Sequence, residues 1–376
     1  MAVVVAPEHV DEFMKYAAEE NLEATIVAVA TDTKRLVMHW RDQNVVNITR
    51  AFLDTNGVTQ HRKAVVAPED KDFFKAPEVK DVAKTWLDTM GTLNIASEQG
   101  LAERFDSTIG ARTVLMPFGG KYQKTPVEGM VAKIPVEHGN TTTASIFTHG
   151  YDPDLAIWSP FTVPLCRHPV HCQTRCPRRR PQEVYLTMQE FFQSLGTNEK
   201  AWGQPVSALL GAFTAQQVME VAAIGGKDSM SGTFENLTVP PTLVSFAIAP
   251  EHTENIISPE FKAADDAVLL FDLPRDGEEM PDFDTFKAHC DFLHQAVLDG
   301  KVKAMHAVGQ GGIAAAVAQM AFGNGIGFAV DKAFAAQELF NLRYGSILVE
   351  TDAATAVAWA GRDHVSLVAR RRLLPM

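Results

Sequence analysis

The sequence predicts an α/β protein organised in α+β layers. Two observations carry that prediction. Extended apolar runs alternate with amphipathic helical ones along most of the chain. The composition is that of an ordinary globular protein, with 46% hydrophobic and 21% charged residues among 376. A chain of this length has room for two or three domains and a sizeable core, and its composition argues against disorder or a fibrous structure.

The elements follow in order. AVVVA at Ala2–Ala6 is strand-like, and His9–Glu20 then places Val10, Phe13, Met14 and Ala17 on one helical face. ATIVAVA, RLVMHW and NVVNI are three further strand candidates, ending near Ile48. A chain that opens in a buried-looking strand reads as the end of a larger domain. Residues 59–83 mix Lys, Asp and Pro and serve as a connector. A second unit opens with a helix near 97–104, followed by extended segments at TVLM, VEGMVAKIP and TTTASIFT. Helices are expected near 186–195 and 206–221, ahead of a loop at 225–232. A third unit has strands TLVSFAIA and AVLLFD, an amphipathic helix near 283–298 and a glycine-led helix from Gly311.

Charge and cysteine content narrow the function classes. The chain has 34 basic and 46 acidic residues, a net of −12. A nucleic-acid-binding surface would need the opposite sign, whereas a local pocket for a small anion is compatible with it. Four cysteines give no disulfide framework, which suits a reducing cytoplasm. No apolar run reaches the length of a membrane span, and no basic region followed by an apolar one opens the chain, so a cytoplasmic protein is expected.

One segment breaks the pattern. Positions 162–181 contain no Ala, Gly, Lys, Asp or Glu, yet hold Cys166, Cys172, Cys176, His168 and His171, with five arginines and four prolines. Neither helical nor strand periodicity is visible there. A reading-frame slip in G+C-rich coding DNA ranks first as its explanation and a structureless insertion second. A zinc site ranks third, because the spacing matches no paired CxxC or HxxxH pattern.

Three loops carry candidate chemistry. In Gly225-Gly226-Lys227-Asp228-Ser229-Met230-Ser231-Gly232, glycines allow close backbone approach to a ligand. Lys227 can neutralise phosphate, Asp228 can hold Mg²⁺ and the serines can donate hydrogen bonds. The Walker spacing is absent, and an ordinary turn is as good a reading. His306-Ala307-Val308-Gly309-Gln310-Gly311-Gly312 leads into a helix whose N-terminus can attract an anion. Close packing through Gly and Ala is the preferred reading there, with His306 a satisfied structural histidine. Asp106 can cap a helix, and Glu128 stands at the start of a strand, where a carboxylate can reach a metal. No nucleophile elbow or Ser/His/Asp order supports a hydrolase.

Taken together, FDSTIGARTVLMPFGGKYQKTP, THGYDPDLAIWSPF, AIGGKDSMSGTFENLTVPPTLVSFAIAP and GQGGIAAAVAQMAFGNGIG resemble the phosphoribosylformylglycinamidine synthase family in its long form. KDSMSG followed by VPPTLVSFA is the most specific element. The likeness covers nearly the whole chain except 162–183 and about the last fifteen residues, GRDHVSLVARRRLLPM, where a second frame slip is one explanation.

The resemblance implies two tandem aminoimidazole-ribonucleotide (AIR) synthetase-like repeats followed by a glutaminase domain. Residues 1–56 then correspond to a remnant of the first repeat's C-terminal domain, and 57–80 to a linker. Residues 81–249 resemble the second repeat's N-terminal domain running into KDSMSG, and 250–376 its C-terminal domain, truncated. The implied reaction is a ligase step of purine biosynthesis: ATP activates the amide oxygen of formylglycinamide ribonucleotide, and ammonia from glutamine displaces phosphate.

The resemblance also implies ATP/ADP and Mg²⁺ as cofactors. Lys227, Asp228, Ser229, Gly311 and Gly312 would be nucleotide or phosphate contacts, and Glu128 would lie beside a Mg²⁺ ligand position. Short-form relatives carry Asp–x–Ser–Asp before the last glycine pair; Ala307, Gly309 and Gln310 stand there instead, which puts metal binding at that point in doubt. The first repeat, beyond its tail, and the glutaminase domain are absent from this sequence, and 162–183 replaces a ligand-bearing helix. The chain is therefore expected to be inactive alone, to keep at most nucleotide binding, and to be poorly soluble. Two alternatives stay open: a zinc- or anion-binding protein using the 166–180 segment, and another AIR-synthetase-superfamily enzyme of the selenophosphate- or thiamine-phosphate-kinase type. The domain remnant and VPPTLVSFA speak against the second.

Overall fold

The computed structural model describes residues 2–55, 61–67, 73–167, 184–330 and 334–370. They fall into two compact units, Met1–Arg62 and Lys63–Met376.

In the first unit a 3-10 turn at Pro7–His9 leads into α1 (Val10–Glu19), which buries none of its residues. β1 (Arg35–Trp40) and β2 (Gln43–Thr49) form an antiparallel hairpin that pairs Arg35 with Thr49, and α2 (Arg50–Thr55) follows. The strands expected at 2–6 and 24–30 are irregular and almost wholly exposed. β-Branched residues favour extended backbone, but a strand also needs a partner, and neither run has one among the described residues.

The second unit begins its regular structure with α3 (Val82–Met90), capped by Asp81, then α4 (Gln99–Ala102). There follow β3 (Thr113–Leu115), the short pair β4 (Phe118–Gly119) and β5 (Thr125–Pro126), β6 (Gly129–Lys133) and β7 (Thr143–Gly150). α5 (Pro153–Trp158) and α6 (Thr162–Arg167) precede β8 (Tyr185–Phe191), and the long α7 (Glu199–Met219) leads to β9 (Ala222–Lys227). A small hairpin, β10 (Thr233–Phe234) and β11 (Leu237–Thr238), precedes β12 (Thr242–His252).

β3, β6, β7, β12, β8 and β9 form one six-stranded sheet in that order. Its pairings are antiparallel except β8 with β9. In β12 every second residue is buried, from Leu243 through Ser245, Ala247 and Ala249, as expected of a sheet with one covered face. α7 presents small residues to its neighbours. A Cβ on Gly211 would sit 2.0 Å from the carbonyl oxygen of Phe161, so only glycine permits that approach.

The remaining elements are β13 (Ala267–Phe271), α8 (Phe283–Leu298), β14 (Ala304–Ala307), α9 (Gly312–Phe322), β15 (Ala329–Val330), β16 (Ile347–Thr351), α10 (Ala353–Trp359) and β17 (Val365–Arg370). Their strands make a second, antiparallel sheet in the order β14, β16, β13, β17, β15. β13 and β16 are buried along their whole length because both faces are covered. Val268 and Leu270 pack with Ile313, Val317 and Met320 of α9, while Leu269 and Phe271 pack with Leu293 and Ala296 of α8 and Ala356 of α10.

Three further sequence expectations need correction. Residues 186–195 are not a helix: β8 occupies most of them, between β12 and β9. Gly225, Gly226 and Lys227 end strand β9 and do not belong to the loop. Thr162–Arg167 is helical despite its composition, and its Leu165 is fully buried against Ala215, Met219 and Phe286. Val365–Arg370, inside the divergent last stretch, pairs with β13 and β15. His168, His171, Cys172 and Cys176, and residues 371–376, lie outside the described residues. Among the described residues no helix is long and apolar enough to cross a membrane.

Candidate functional site

A cavity of about 860 Å³ opens in the second unit where the end of β7 meets the end of β14. The first sheet contributes His149 and, just beyond it, Tyr151 and Asp152; the turn ahead of β6 contributes Glu128. The second sheet contributes His306, Gly309 and Gln310, and α9 adds Ala316, Gln319 and Phe322. Its volume lies in the range of small-molecule sites.

Asp152 anchors this region. The sequence Tyr-Asp-Pro-Asp starts α5 with an acidic N-cap and proline at the first helical position, both of which favour a helix start. Asp152 Oδ1 accepts from Leu155 N at 3.0 Å. Its Oδ2 accepts from Tyr344 Oη at 2.5 Å and from Gln310 Nε2 at 3.0 Å. Gln310 Nε2 also reaches Asp154 Oδ2 at 3.1 Å, which in turn accepts from Asn94 Nδ2 at 3.2 Å. Burial holds the Tyr151 phenol above its ordinary pKa; a hydrogen bond with Thr242 opposes this, and the nearby charges of Asp152 and Asp154 add to it.

His306 differs from its sequence reading. Its Nδ1–H donates to the Ala307 carbonyl at 2.7 Å, but Nε2 is buried with no partner. The ring is therefore only half satisfied, and it forms part of the cavity wall.

The sequence-predicted residues are distributed as follows. Glu128 lines the cavity, half-buried. Gly311 and Gly312 start α9 with φ of +77° and +64°, a region that favours glycine. A Cβ on Gly312 would lie 2.6 Å from Asn341 O, so close packing accounts for this pair. Neither glycine lines the cavity, although their neighbours Gly309 and Gln310 do. Asp106 closes a local turn by accepting from the Thr108 amide and hydroxyl, and those bonds hold its carboxyl below the usual range.

Lys227, Asp228 and Ser229 do not line the cavity. They sit at the end of β9, where Ser229 O accepts from Phe192 N at 2.9 Å and Ser229 Oγ meets Ser231 Oγ at 2.9 Å. Register nevertheless brings them to the cavity's end of the sheet. Ser245 pairs with Gly150, Thr242 with Phe191, and Lys227 with Gln189, so β7, β8 and β9 run parallel and finish together. Three strand spacings separate β7 from β9, roughly 15 Å. Beside Asp228 stands Glu190 of β8, 7% exposed, whose pKa is pushed up to about 7 by burial and then by the Asp228 charge.

No group of three or more His, Cys, Asp or Glu side chains gathers as a metal site among the described residues. Magnesium is commonly held by one or two carboxylates together with substrate phosphates and water. Glu128 fits that limited role and no larger one.

Sequence reasoning missed Asp152 and the buried, unpartnered Nε2 of His306. The Asp-Pro helix start was a usable signal for the first. None existed for the second, because whether a histidine nitrogen is paired depends on tertiary contacts.

Residues 258–357 match the family model described as AIR synthase related protein, C-terminal domain. The phosphoribosylformylglycinamidine synthase subunit PurL of Thermoplasma acidophilum is 23% identical over 346 residues, covering 86% of this chain and 44% of that protein. The subunit of the same name from Zymomonas mobilis is 23% identical, over 96% of this chain and 51% of its own. The chain thus spans about half the length of the curated relatives it matches. Among solved structures, Thermotoga maritima PurL complexed with ATP superposes with a TM-score of 0.61 at 14% identity, covering 98% of this chain and 54% of that one. The same protein complexed with FGAR gives 0.54 at 12% identity, over 78% and 50%. The fold is an AIR-synthetase-like α+β architecture, and the chain resembles about half the length of the PurL subunits it matches.

Proposed function

We propose that this chain is the second-repeat portion of a phosphoribosylformylglycinamidine synthase, and that its cavity binds a ribonucleotide. One observation carries the reading: likeness to synthase subunits runs through 86–96% of the chain, well beyond the AIR synthase related domain alone. That extent favours neither a zinc-binding module nor another enzyme of the superfamily. Matched structures of PurL with ATP and with FGAR support a small nucleotide or ribonucleotide ligand.

In this reading 1–56 is the remnant of the first repeat, 57–80 a linker, and 81–249 and 250–376 the two domains of the second. Lys227, Asp228 and Ser229 contact phosphate from the neighbouring strand end, and Glu128 supplies one carboxylate to magnesium. Gly311 and Gly312 shape the turn that carries Gln310 to the cavity. The whole synthase would phosphorylate the amide oxygen of formylglycinamide ribonucleotide with ATP and displace that phosphate with ammonia from glutamine. A first repeat and a glutaminase domain are the partners this chain would need, in the cytoplasm.

Calorimetric titration with ATP, with and without magnesium, tests the binding, and an ammonia-fed turnover assay tests the activity. Binding without turnover is expected of the purified chain. Absence of ATP heat under both conditions rejects the nucleotide site.

A further inference from the structure

Resting on the ribonucleotide reading of the cavity, we propose that residues 97–106 form a lid that closes on the bound ligand, with Leu101 and Phe105 as its sealing side chains. Glu98, Leu101, Ala102 and Phe105 all line the cavity. Their spacing of i, i+3, i+4 and i+7 is one stripe of a helix. The backbone there coils accordingly. α4 covers Gln99–Ala102, and its turn continues as Arg104 N donates to Leu101 O at 3.3 Å and Phe105 N to Ala102 O at 3.2 Å. Gln99, Glu103 and Arg104 do not line the cavity, and Gln99 Nε2 donates to Glu103 Oε1 at 2.7 Å.

The stripe lines the cavity, yet its two large side chains are wet. Leu101 is 60% exposed and Phe105 77%. A lone exposed leucine is ordinary on a protein surface. Two large apolar side chains on one cavity-lining stripe are a wall that stands off from what it would cover. The cavity's other elements offer matching apolar surface: Phe118 and Val127 are half-buried, and Phe322 of α9 is exposed. A ligand between these walls gives both something to pack on, and the release of water from apolar surface favours closure.

The attachment of this segment permits the movement. Among the described residues, every hydrogen bond made by 97–106 stays within 97–108. None of the ten residues is buried. Firmer ties lie on either side. Asn94 Nδ2 donates to Asp154 Oδ2 at 3.2 Å before the segment, and Thr113 Oγ1 to the Ser107 carbonyl at 2.5 Å after it. Local bonds and few buried contacts mark the part of a fold that rearranges at low cost. A lid drawn from such a segment shuts water out of the site once ligand is bound.

Hydrogen exchange read by mass spectrometry tests closure on the purified chain, with ATP and magnesium in one arm and ribose 5-phosphate in the other. Calorimetry establishes which probe binds. With a bound probe, the amides of 98–105 should exchange about tenfold more slowly, while those of the exposed loop 137–140 in the same unit keep their rate. The double variant Leu101→Ser, Phe105→Ser should release the probe about tenfold faster with little change in association, because the sealing contacts form after docking. Its ligand-free melting temperature should equal the wild type's, since neither side chain is buried. Unslowed exchange in a chain that binds its probe would overturn the proposal, as would unchanged release by the variant. So would serines that alter the oligomeric state of the ligand-free chain, which would make the stripe a protein-docking surface. The exchange comparison needs no variant to fold. If neither ATP nor ribose 5-phosphate binds, the ribonucleotide reading itself fails and the lid with it. Binding without protection defeats the lid alone.

Discussion

Tyr344 donates its hydroxyl to Asp152, a residue 192 positions earlier, and both side chains are almost wholly buried. The bond ties the start of α5, at the end of the first sheet, to the loop before β16 in the second. It thereby helps fix the cavity wall on which Asp152 and His306 both lie. Tyr344→Phe keeps the ring against Leu155 and Val163 but removes a donor from a buried carboxylate. The expected loss of stability is about 1–3 kcal/mol, by the usual cost of a buried polar group deprived of a partner. Urea unfolding of the two proteins checks it; equal midpoints would mean that this bond does not join the sheets.

Glu190 gives the fold a pH dependence. Its carboxyl, pushed up to about 7 by burial and by Asp228, holds its proton in the folded state above the pH at which an unfolded glutamate has released it. The folded state therefore binds more protons between about pH 4.3 and 7, and stability falls as pH rises through that window. The full effect is on the order of 3 kcal/mol. Glu190→Gln should remove the slope and raise the melting temperature at pH 8 while changing little near pH 4.5. Thermal melts across that range decide it, and parallel slopes in the two proteins would exclude Glu190 as the source.

The same residue shows where the sequence was legible and where it was not. β12, β13 and α8 were readable because their patterns are clean: alternation in Leu243–Ala249, a continuous apolar run in Ala267–Phe271, a helical stripe capped by Asp282. β8 was not, because its inward positions include Leu186 and Glu190, and a carboxylate at a buried strand position breaks the apolar alternation. Val3, Val4, Ile26 and Val27 erred the other way, apolar enough for strands but left exposed. Of the residues singled out in the sequence, Glu128 at the start of a strand does line the cavity, whereas His306 passed as satisfied because one of its two nitrogens is.

Gly312 is best explained by geometry, and one substitution separates that from a ligand role. At φ +64°, with Asn341 O and Leu339 O within 2.7 Å of any added Cβ, alanine meets both backbone strain and a clash with carbonyl oxygens. Gly312→Ala should cost about 2 kcal/mol or more. The loss should appear in thermal melts of the ligand-free protein. Unchanged melting with weakened ATP binding would assign the glycine to the ligand instead.

Lys227 carries the reverse expectation. It is exposed at the end of β9, no ion pair holds it among the described contacts, and the fold does not depend on its charge. Its value would lie in reaching a phosphate that extends from the cavity along the shared end of β7, β8 and β9. A charge-assisted hydrogen bond contributes about 1.5–3 kcal/mol, so Lys227→Ala should weaken ATP binding roughly tenfold to a hundredfold and leave the melting temperature unchanged. Because the contact is to phosphate, adenosine should bind the variant and the wild type equally. Calorimetry with both ligands makes the distinction. If ATP binds the variant as tightly as the wild type, the strand end plays no part in the site.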